Sequence, residues 1–138
     1  MTHLVAVVDD EPRIRELLAL ELEELGVEVL RCADGKELLT NSELQKVELV
    51  LLDWVMPGLD GLGTLHALRN CAFKAPIIVV TALSDPQINK RALQEGAAAI
   101  TLKTDILDIL PQLLSRGKKT VGSVLKNGLN VSESGWNP

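Results

Sequence analysis

Short apolar runs alternate with stretches of helical periodicity from residue 3 to about residue 115. Most of these runs are continuously apolar, which is typical of strands covered by helices on both faces of a parallel sheet. The alternation therefore predicts five βα units in one α/β domain. The predicted strands are Leu4–Val8, Val27–Leu30, Leu49–Leu52, Ile77–Val80 and Ala99–Leu102.

The segments between the runs predict helices with recognisable ends. Apolar residues recur at helical spacing after Pro12, which suits a first turn, and Gly26 suits the position just past a last turn. Further helices are predicted over 36–44, 62–71 and 87–95, the last of them closed by Gly96. A fifth is predicted over about 108–116, with Asp108 as its N-cap and Pro111 in its first turn.

The composition of the sequence changes after Arg116, where Gly, Ser and Asn become frequent and the helical periodicity of apolar residues is lost. A chain of 138 residues has room for one core of ordinary size. We therefore predict a single domain over residues 1–116 and a tail or linker stub over 117–138.

Right-handed crossovers between successive strands would give a doubly wound, three-layer α/β/α sandwich. Ligands of such sheets bind at the carboxyl ends of the strands, where this chain places charged and polar residues. They are Asp9, Asp10 and Glu11 after the first strand, Asp53 at the end of the third, Thr81 at the end of the fourth, and Lys103 after the fifth.

Carboxylates that converge at one sheet edge repel one another unless a cation neutralises them. An all-oxygen set without His or Cys favours Mg²⁺, which usually keeps waters and binds a phosphate. Lys103 adds a positive charge and Thr81 a hydroxyl donor, so the set suits phosphoryl transfer. Taken singly, each residue has an ordinary explanation, because Asp10 or Glu11 can start a helix and Thr81 or Lys103 can be solvated.

Composition narrows the function further. Fourteen basic against nineteen acidic residues give a net charge of −5, which disfavours direct nucleic-acid binding, and 2% aromatic residues leave little for base stacking. Cys32 and Cys71 match no metal or redox spacing and are interpreted as reduced core thiols. With no apparent targeting or membrane-spanning segment, we expect a cytoplasmic protein.

Over about residues 3–116 the chain resembles the receiver domains of bacterial two-component response regulators. Four motifs carry the resemblance in the family's order and spacing: Val7-Val8-Asp9-Asp10-Glu11-Pro12, Asp53-Trp54-Val55-Met56-Pro57-Gly58-Leu59-Asp60-Gly61, Val80-Thr81-Ala82 and Lys103. The resemblance implies a flavodoxin-like sheet with strand order 2-1-3-4-5. It also implies a phosphorelay switch that is not a turnover enzyme.

The resemblance implies a role for each motif residue. Asp53 would accept a phosphoryl group from a sensor histidine kinase or phosphotransfer protein, Thr81 would hydrogen-bond that group, and Lys103 would pair with it. Mg²⁺ would be bound directly by Asp10 with support from Asp9, and also by Asp53 and the Val55 backbone carbonyl. A partner or output domain would read the phosphorylated state.

Three positions depart from the family pattern. Ile100 stands where the family usually has Tyr or Phe, so a swinging ring cannot transmit the signal. Thr104 replaces a proline that follows the lysine in cis linkage, so we expect a rearranged loop after Lys103. Ala98 and Ala99 replace a frequent acidic pair, which disfavours a salt-bridged dimer on that face.

Apolar residues of the fourth and fifth units allow two interpretations. Leu83, Ile100, Ile106 and Ile109 could form a surface for a hydrophobic partner or homodimer, or some of them could be core. Val55 and Leu83 are predicted to flank Asp53 and to hinder a hydrolytic water, which predicts a long-lived acyl phosphate.

Four other functions fit the sequence less well. A receiver-like binding module that is never phosphorylated would not need all the chemical residues present. An aspartate-nucleophile phosphatase needs an acid two residues after Asp53, where Val55 stands. A flavodoxin-like electron carrier needs a small-residue phosphate loop and aromatic flavin contacts. The 22 residues after Arg116 are too few for a helix-turn-helix module, an objection that lapses if the natural chain is longer.

Overall fold

The computed structural model describes residues 3–56, 58, 60–115 and 130–131. Five parallel strands form the sheet in the order β2-β1-β3-β4-β5, which confirms the predicted fold. A two-residue strand, β6, pairs antiparallel with the outer edge of β5 and was not predicted. The strands are β1 (Leu4–Val8), β2 (Glu28–Cys32), β3 (Leu49–Asp53), β4 (Ile77–Thr81), β5 (Ala99–Leu102) and β6 (Asn130–Val131).

Five helices connect or follow the parallel strands: α1 (Pro12–Glu24), α2 (Gly35–Leu39), α3 (Gly61–Asn70), α4 (Pro86–Gln94) and α5 (Lys103–Ser115). Helix α2 is shorter than the predicted 36–44. It stops at Thr40, and the Asn41 side chain then accepts a hydrogen bond from the Glu43 amide, a local turn that competes with helix. A short 3₁₀ turn, Leu44–Lys46, leads to β3.

Helix α1 follows the sequence pattern at both ends. Pro12 occupies the first turn, and Gly26 has φ of 92°, the left-handed conformation that the end of a helix requires. Leu18 and Leu22 are buried against the sheet, whereas Leu17 is 43% exposed, so the apolar face is narrower than the periodicity predicted.

Helix α5 contradicts the predicted start near Asp108. It begins at Lys103, directly after β5, and Pro111 lies in its interior. Because Thr104 is not proline, the backbone there is free to enter the helix at once. The rearrangement expected after Lys103 therefore takes the form of a helix with no connecting loop.

The core has two layers, one on each face of the sheet. Leu38 of α2, Leu65 of α3 and Ala92 of α4 pack on one face, while Leu22 of α1 and Leu110 of α5 pack on the other. This arrangement is the predicted three-layer sandwich.

The packing of the core also shows which of the apolar residues of the fourth and fifth units are buried. Ile100, Ile106 and Ile109 are each 1% exposed and belong to the core, so the surface interpretation is wrong for them. Leu83 alone of the four is on the surface, at 63% exposure.

Both cysteines are free thiols, but they differ in burial. Cys32 is buried, and burial raises the pKa of its thiol to about 12. Cys71 is exposed, so the prediction that it is a core thiol is wrong.

The predicted tail over 117–138 lies outside the described residues apart from β6. Among the described helices, none is long and apolar enough to cross a bilayer.

Candidate functional site

The carboxyl ends of the strands bring the predicted site residues to one edge of the sheet. They line an open cleft of about 560 Å³ above β1, β3, β4 and β5. Asp53 is the last residue of β3, Thr81 is the last of β4, and Lys103 starts α5. The cleft is lined by Asp10, Glu11, Pro12, Asp53, Val55, Thr81, Ala82, Leu83 and Lys103.

Asp9 is buried beneath this cleft at the turn from β1 to α1. Its amide donates to the carbonyl of Cys32 at the end of β2, and its carboxylate accepts from the Glu11 amide at 2.9 Å. Arg15 reaches back from α1 and donates to the Asp9 carbonyl oxygen at 2.8 Å. The turn that carries Asp9 and Asp10 is therefore tied to both β2 and α1.

Lys103 bridges the two buried carboxylates. Its Nζ lies 3.2 Å from Oδ2 of Asp9 and 3.4 Å from Oδ1 of Asp53. Burial acts to lower the pKa of Lys103, but the carboxylates of Asp53 and Asp9 outweigh it and raise that pKa. Lys103 is therefore a permanent cation at the site.

Asp53 is 3% exposed, and its charge is not fully compensated. Burial first, and repulsion from Asp9 second, raise the pKa of Asp53 to about 7. Lys103 and a hydrogen bond from the Val55 backbone act in the opposite direction. One ammonium group thus leaves an excess of negative charge in the cleft.

The carboxylates form a group that could hold a divalent cation. Asp9, Asp10 and Asp53 each offer an oxygen, and these oxygens lie within 4.8 Å of one another. Asp9 and Asp53 are buried while Asp10 is exposed, so the group opens to solvent on one side. An oxygen-only set of this kind suits Mg²⁺ better than zinc.

Thr81 and two apolar side chains complete the cleft. The Thr81 hydroxyl is buried and accepts a hydrogen bond from the Leu83 amide at 3.3 Å. Val55 and Leu83 are 68% and 63% exposed and stand at the rim, as the sequence predicted for residues flanking Asp53.

Gly61 fixes the path of the loop after Asp53. A Cβ added there would lie 2.6 Å from both the Asp53 carbonyl oxygen and the Trp54 Cα atom, so only glycine lets α3 begin this close to β3. The Gly61 amide donates to the Trp54 carbonyl, and the Asp60 side chain caps the helix by accepting from the Gly63 amide.

The structure brings together every residue that the sequence placed at the site. The sequence did not indicate Arg15 or the Leu83 amide, because each contact involves a backbone atom: the Arg15 side chain donates to the Asp9 carbonyl, and the Leu83 amide donates to the Thr81 hydroxyl. A basic residue one turn into the helix after the acidic pair is the sequence signal that could have indicated Arg15.

Comparison with known families gives one match over most of the chain. The model of the response regulator receiver domain matches residues 5–114. That span contains the cleft and all five helices and parallel strands except the first residue of β1 and the last of α5.

Two curated relatives are named as transcriptional regulators. The chain is 42% identical over 99 residues to "Probable transcriptional regulator ycf27" of Cyanophora paradoxa, covering 72% of this chain and 41% of that protein. It is 36% identical over 97 residues to "Alkaline phosphatase synthesis transcriptional regulatory protein PhoP" of Bacillus subtilis, covering 70% and 40%. It therefore spans about two fifths of the length of these relatives.

Solved structures share the fold. The receiver domain of the Francisella response regulator 1452 superposes with a TM-score of 0.70 at 28% identity, covering 80% of this chain and 91% of that one. The "BeF3 Activated DrrB Receiver Domain" superposes with a TM-score of 0.74 at 25% identity, covering 88% and 99%. The family model, the relatives and the shared fold agree that this chain belongs to the response regulator receiver domain family.

Proposed function

We propose that the chain is a phosphoacceptor switch of a two-component phosphorelay, with Asp53 as the residue that is phosphorylated. The observation that carries the proposal is the environment of Asp53. Its carboxylate is buried at the base of an open cleft, next to Asp9 and Lys103. An ionised carboxylate in that position is a nucleophile with access from one direction.

Mg²⁺ is the cofactor that the donor set fits. Asp10, Asp9, Asp53 and the backbone carbonyl of Val55 would hold it, and the excess negative charge of the cleft favours its binding. When bound, the ion neutralises charge on the carboxylates and on the incoming phosphoryl oxygens. Its charge would also lower the pKa of Asp53 and so favour the ionised carboxylate.

The chain's own residues then perform the transfer. A carboxylate oxygen of Asp53 attacks phosphorus, the O–P bond forms, and the P–N bond of a phosphohistidine donor breaks, leaving the imidazole to take up a proton. Lys103 lies close enough to Asp53 to pair with the transferred group, and Thr81 can turn its hydroxyl toward it. Because the reaction needs mainly positioning and charge neutralisation, no general base is required.

The donor would be a sensor histidine kinase or a phosphotransfer protein. Part of "Sensor histidine kinase RcsC" of Escherichia coli is 32% identical to this chain over 112 residues, which supports a place in the same signalling class. We propose that a partner or output domain reads the phosphorylated state. The protein assists its own phosphorylation and dephosphorylation but does not turn over a foreign substrate.

The test follows intact mass and Trp54 fluorescence in a Trp136→Phe background, which removes the second tryptophan. Incubation with Mg²⁺ and a small phosphodonor should add one phosphoryl group, and Mg²⁺ with beryllofluoride should change the fluorescence. Asp53→Asn should abolish both responses. Asp108→Asn removes the same charge from an exposed site on α5 and should leave both intact.

Two outcomes would favour a different function. No mass gain in the parent with any donor would favour the binding module that signals by protein contact alone. A mass gain that persists in Asp53→Asn would place the phosphorylated residue elsewhere.

A further inference from the structure

The turn between β1 and α1 carries two of the three carboxylates that could hold a divalent cation, yet the start of α1 has no side-chain cap. Glu11 is the N-cap of α1 and makes no side-chain capping bond. Pro12 follows it and has no amide hydrogen to donate. Apart from the hydrogen bond from the Glu11 amide to the Asp9 carboxylate, the contacts that hold Asp9 come from outside the turn, from Cys32, Arg15 and Lys103.

Arg15 makes such a contact. Its Nη1 donates to the Asp9 carbonyl oxygen at 2.8 Å in a partly buried setting, which joins the second turn of α1 to the end of β1. Asp9 is 2% exposed with Arg15 in place, so this hydrogen bond forms with little competition from water. Among the described residues, no carboxylate lies within 4.0 Å of the Arg15 guanidinium, so an ion pair does not explain its position.

The charge of Arg15 acts against metal binding if it acts alone. A positive charge near the cleft repels a divalent cation, so its removal should tighten Mg²⁺ binding by simple electrostatics. Lys103 already provides the cation that contacts Asp9 and Asp53. If Arg15 promotes Mg²⁺ binding, it must therefore do so through the geometry of its hydrogen bond to the Asp9 carbonyl.

We propose that Arg15 is a positioning residue that holds the Asp9-Asp10 turn in the conformation that binds Mg²⁺. The inference rests on the proposed function, because it concerns the same cleft. Arg15 touches neither the phosphoacceptor nor the phosphoryl group and acts through the Asp9 backbone.

Arg13 offers a matched control. It lies on the same helix, carries the same charge, is exposed and makes no hydrogen bond or ion pair among the described residues. Arg13→Gln therefore reports the loss of charge alone, whereas Arg15→Gln loses both the charge and the contact with Asp9.

The measurement is a Mg²⁺ titration at fixed ionic strength, followed by Trp54 fluorescence in the Trp136→Phe background. Loss of an outer-shell contact of this kind should raise the half-saturating Mg²⁺ concentration about tenfold in Arg15→Gln. Arg13→Gln should leave it unchanged or lower it slightly. Arg15→Lys, which keeps the charge and one donor group, should fall between Arg15→Gln and the parent.

Thermal unfolding in EDTA shows whether each variant is folded. If Arg15→Gln does not fold, Arg15→Lys is compared with Arg13→Lys. We then expect Arg15→Lys to bind Mg²⁺ more weakly than the parent and Arg13→Lys to bind it as the parent does. Affinity in the Arg15 variants equal to or tighter than in their Arg13 counterparts would overturn the proposal and leave the proposed function standing. No Mg²⁺ response in the parent would overturn both.

Discussion

Asp53 and Asp9 are both almost fully buried, and Lys103 contacts the two carboxylates at once. Burial and repulsion from Asp9 make Asp53 costly to ionise, so the cleft loses some folding stability and gains a site that attracts a cation. In the metal-free protein this cost should be measurable as a dependence of folding stability on pH.

The pKa of Asp53 is raised from 3.8 to about 7 in the folded protein. Because the folded state then holds the proton more tightly than the unfolded chain, this group favours folding below about pH 4. That contribution is lost as the pH rises from about 4 to about 7. Asp53→Asn carries no such proton, so in EDTA it should exceed the parent in stability by on the order of 4 kcal/mol at pH 8.

Urea unfolding of both proteins between pH 4 and pH 8 would measure this difference. It should be small near pH 4, grow through the window and level off above pH 7. Asp108→Asn, on the exposed side of α5, should show no such trend. A constant difference at every pH would show that Asp53 titrates normally.

Val55 and Leu83 are large apolar side chains that remain mostly exposed at the rim of the cleft. We expect them to keep a hydrolytic water away from a phosphoryl group on Asp53. Replacing them together, as Val55→Asn and Leu83→Gln, should shorten the lifetime of the acyl phosphate about tenfold, equivalent to ~1.4 kcal/mol in the barrier.

The lifetime would be followed by intact mass after removal of the phosphodonor. Leu20→Gln is a suitable control, because Leu20 is 51% exposed on α1 and does not line the cleft. The same half-life in the double variant and the parent would count against water exclusion by these side chains.

The site residues themselves were predictable because each one ends or follows a strand, and parallel strands share one carboxyl edge. The sequence could not show that Arg15 reaches the Asp9 carbonyl, because that contact depends on where α1 lies relative to β1. The exposure of Cys71 was equally hidden, since apolar neighbours in sequence need not surround a residue in space.

At the scale of elements, the two ends of α1 were predicted well and the start of α5 was not. Pro12 and Gly26 act locally, through a fixed φ and a left-handed conformation. The position of Pro111, in contrast, was predicted wrongly. A proline suits a first turn, yet α5 begins five residues before the predicted N-cap, in a segment whose Ile106 packs against the sheet.

This difference makes a prediction for Pro111. In the interior of α5 it removes a backbone hydrogen bond and crowds the preceding turn, and its side chain is exposed. Pro111→Ala should therefore raise the free energy of unfolding by about 1 to 3 kcal/mol. Pro86 at the start of α4 is the control, because Pro86→Ala should be neutral or slightly destabilising.

Chemical denaturation of the two variants distinguishes the two positions of the helix start. If α5 instead began near Asp108, Pro111 would lie in a first turn like Pro86, and both substitutions would have the same small effect.

At the scale of the whole molecule, the alternation of apolar runs and helical segments was sufficient to predict the layers and the sheet. Strands β1, β3, β4 and β5 are buried on both faces by two separate core layers, which is why their sequences lack a period of two. Strand β6 was not predictable, because two residues carry no pattern.

The sheet also links metal binding to global stability, since the proposed ligands lie at the ends of β1 and β3 in the centre of the fold. A ligand that binds only the folded state stabilises it by about 2.7 kcal/mol at a hundred times its dissociation constant. We therefore expect the melting temperature of the parent to rise with Mg²⁺ concentration.

Asp10→Asn should flatten that rise with little change in the metal-free melting temperature, because Asp10 is exposed and removing its charge costs no packing. Asp108→Asn removes one exposed carboxylate as well, from a position on α5 outside the cleft, and should keep the full response to Mg²⁺. Differential scanning calorimetry across a Mg²⁺ series would measure all three proteins. Equal rises in the two variants would mean that the ion stabilises the protein by general screening of its net charge of −5 and not by binding at the acidic cleft.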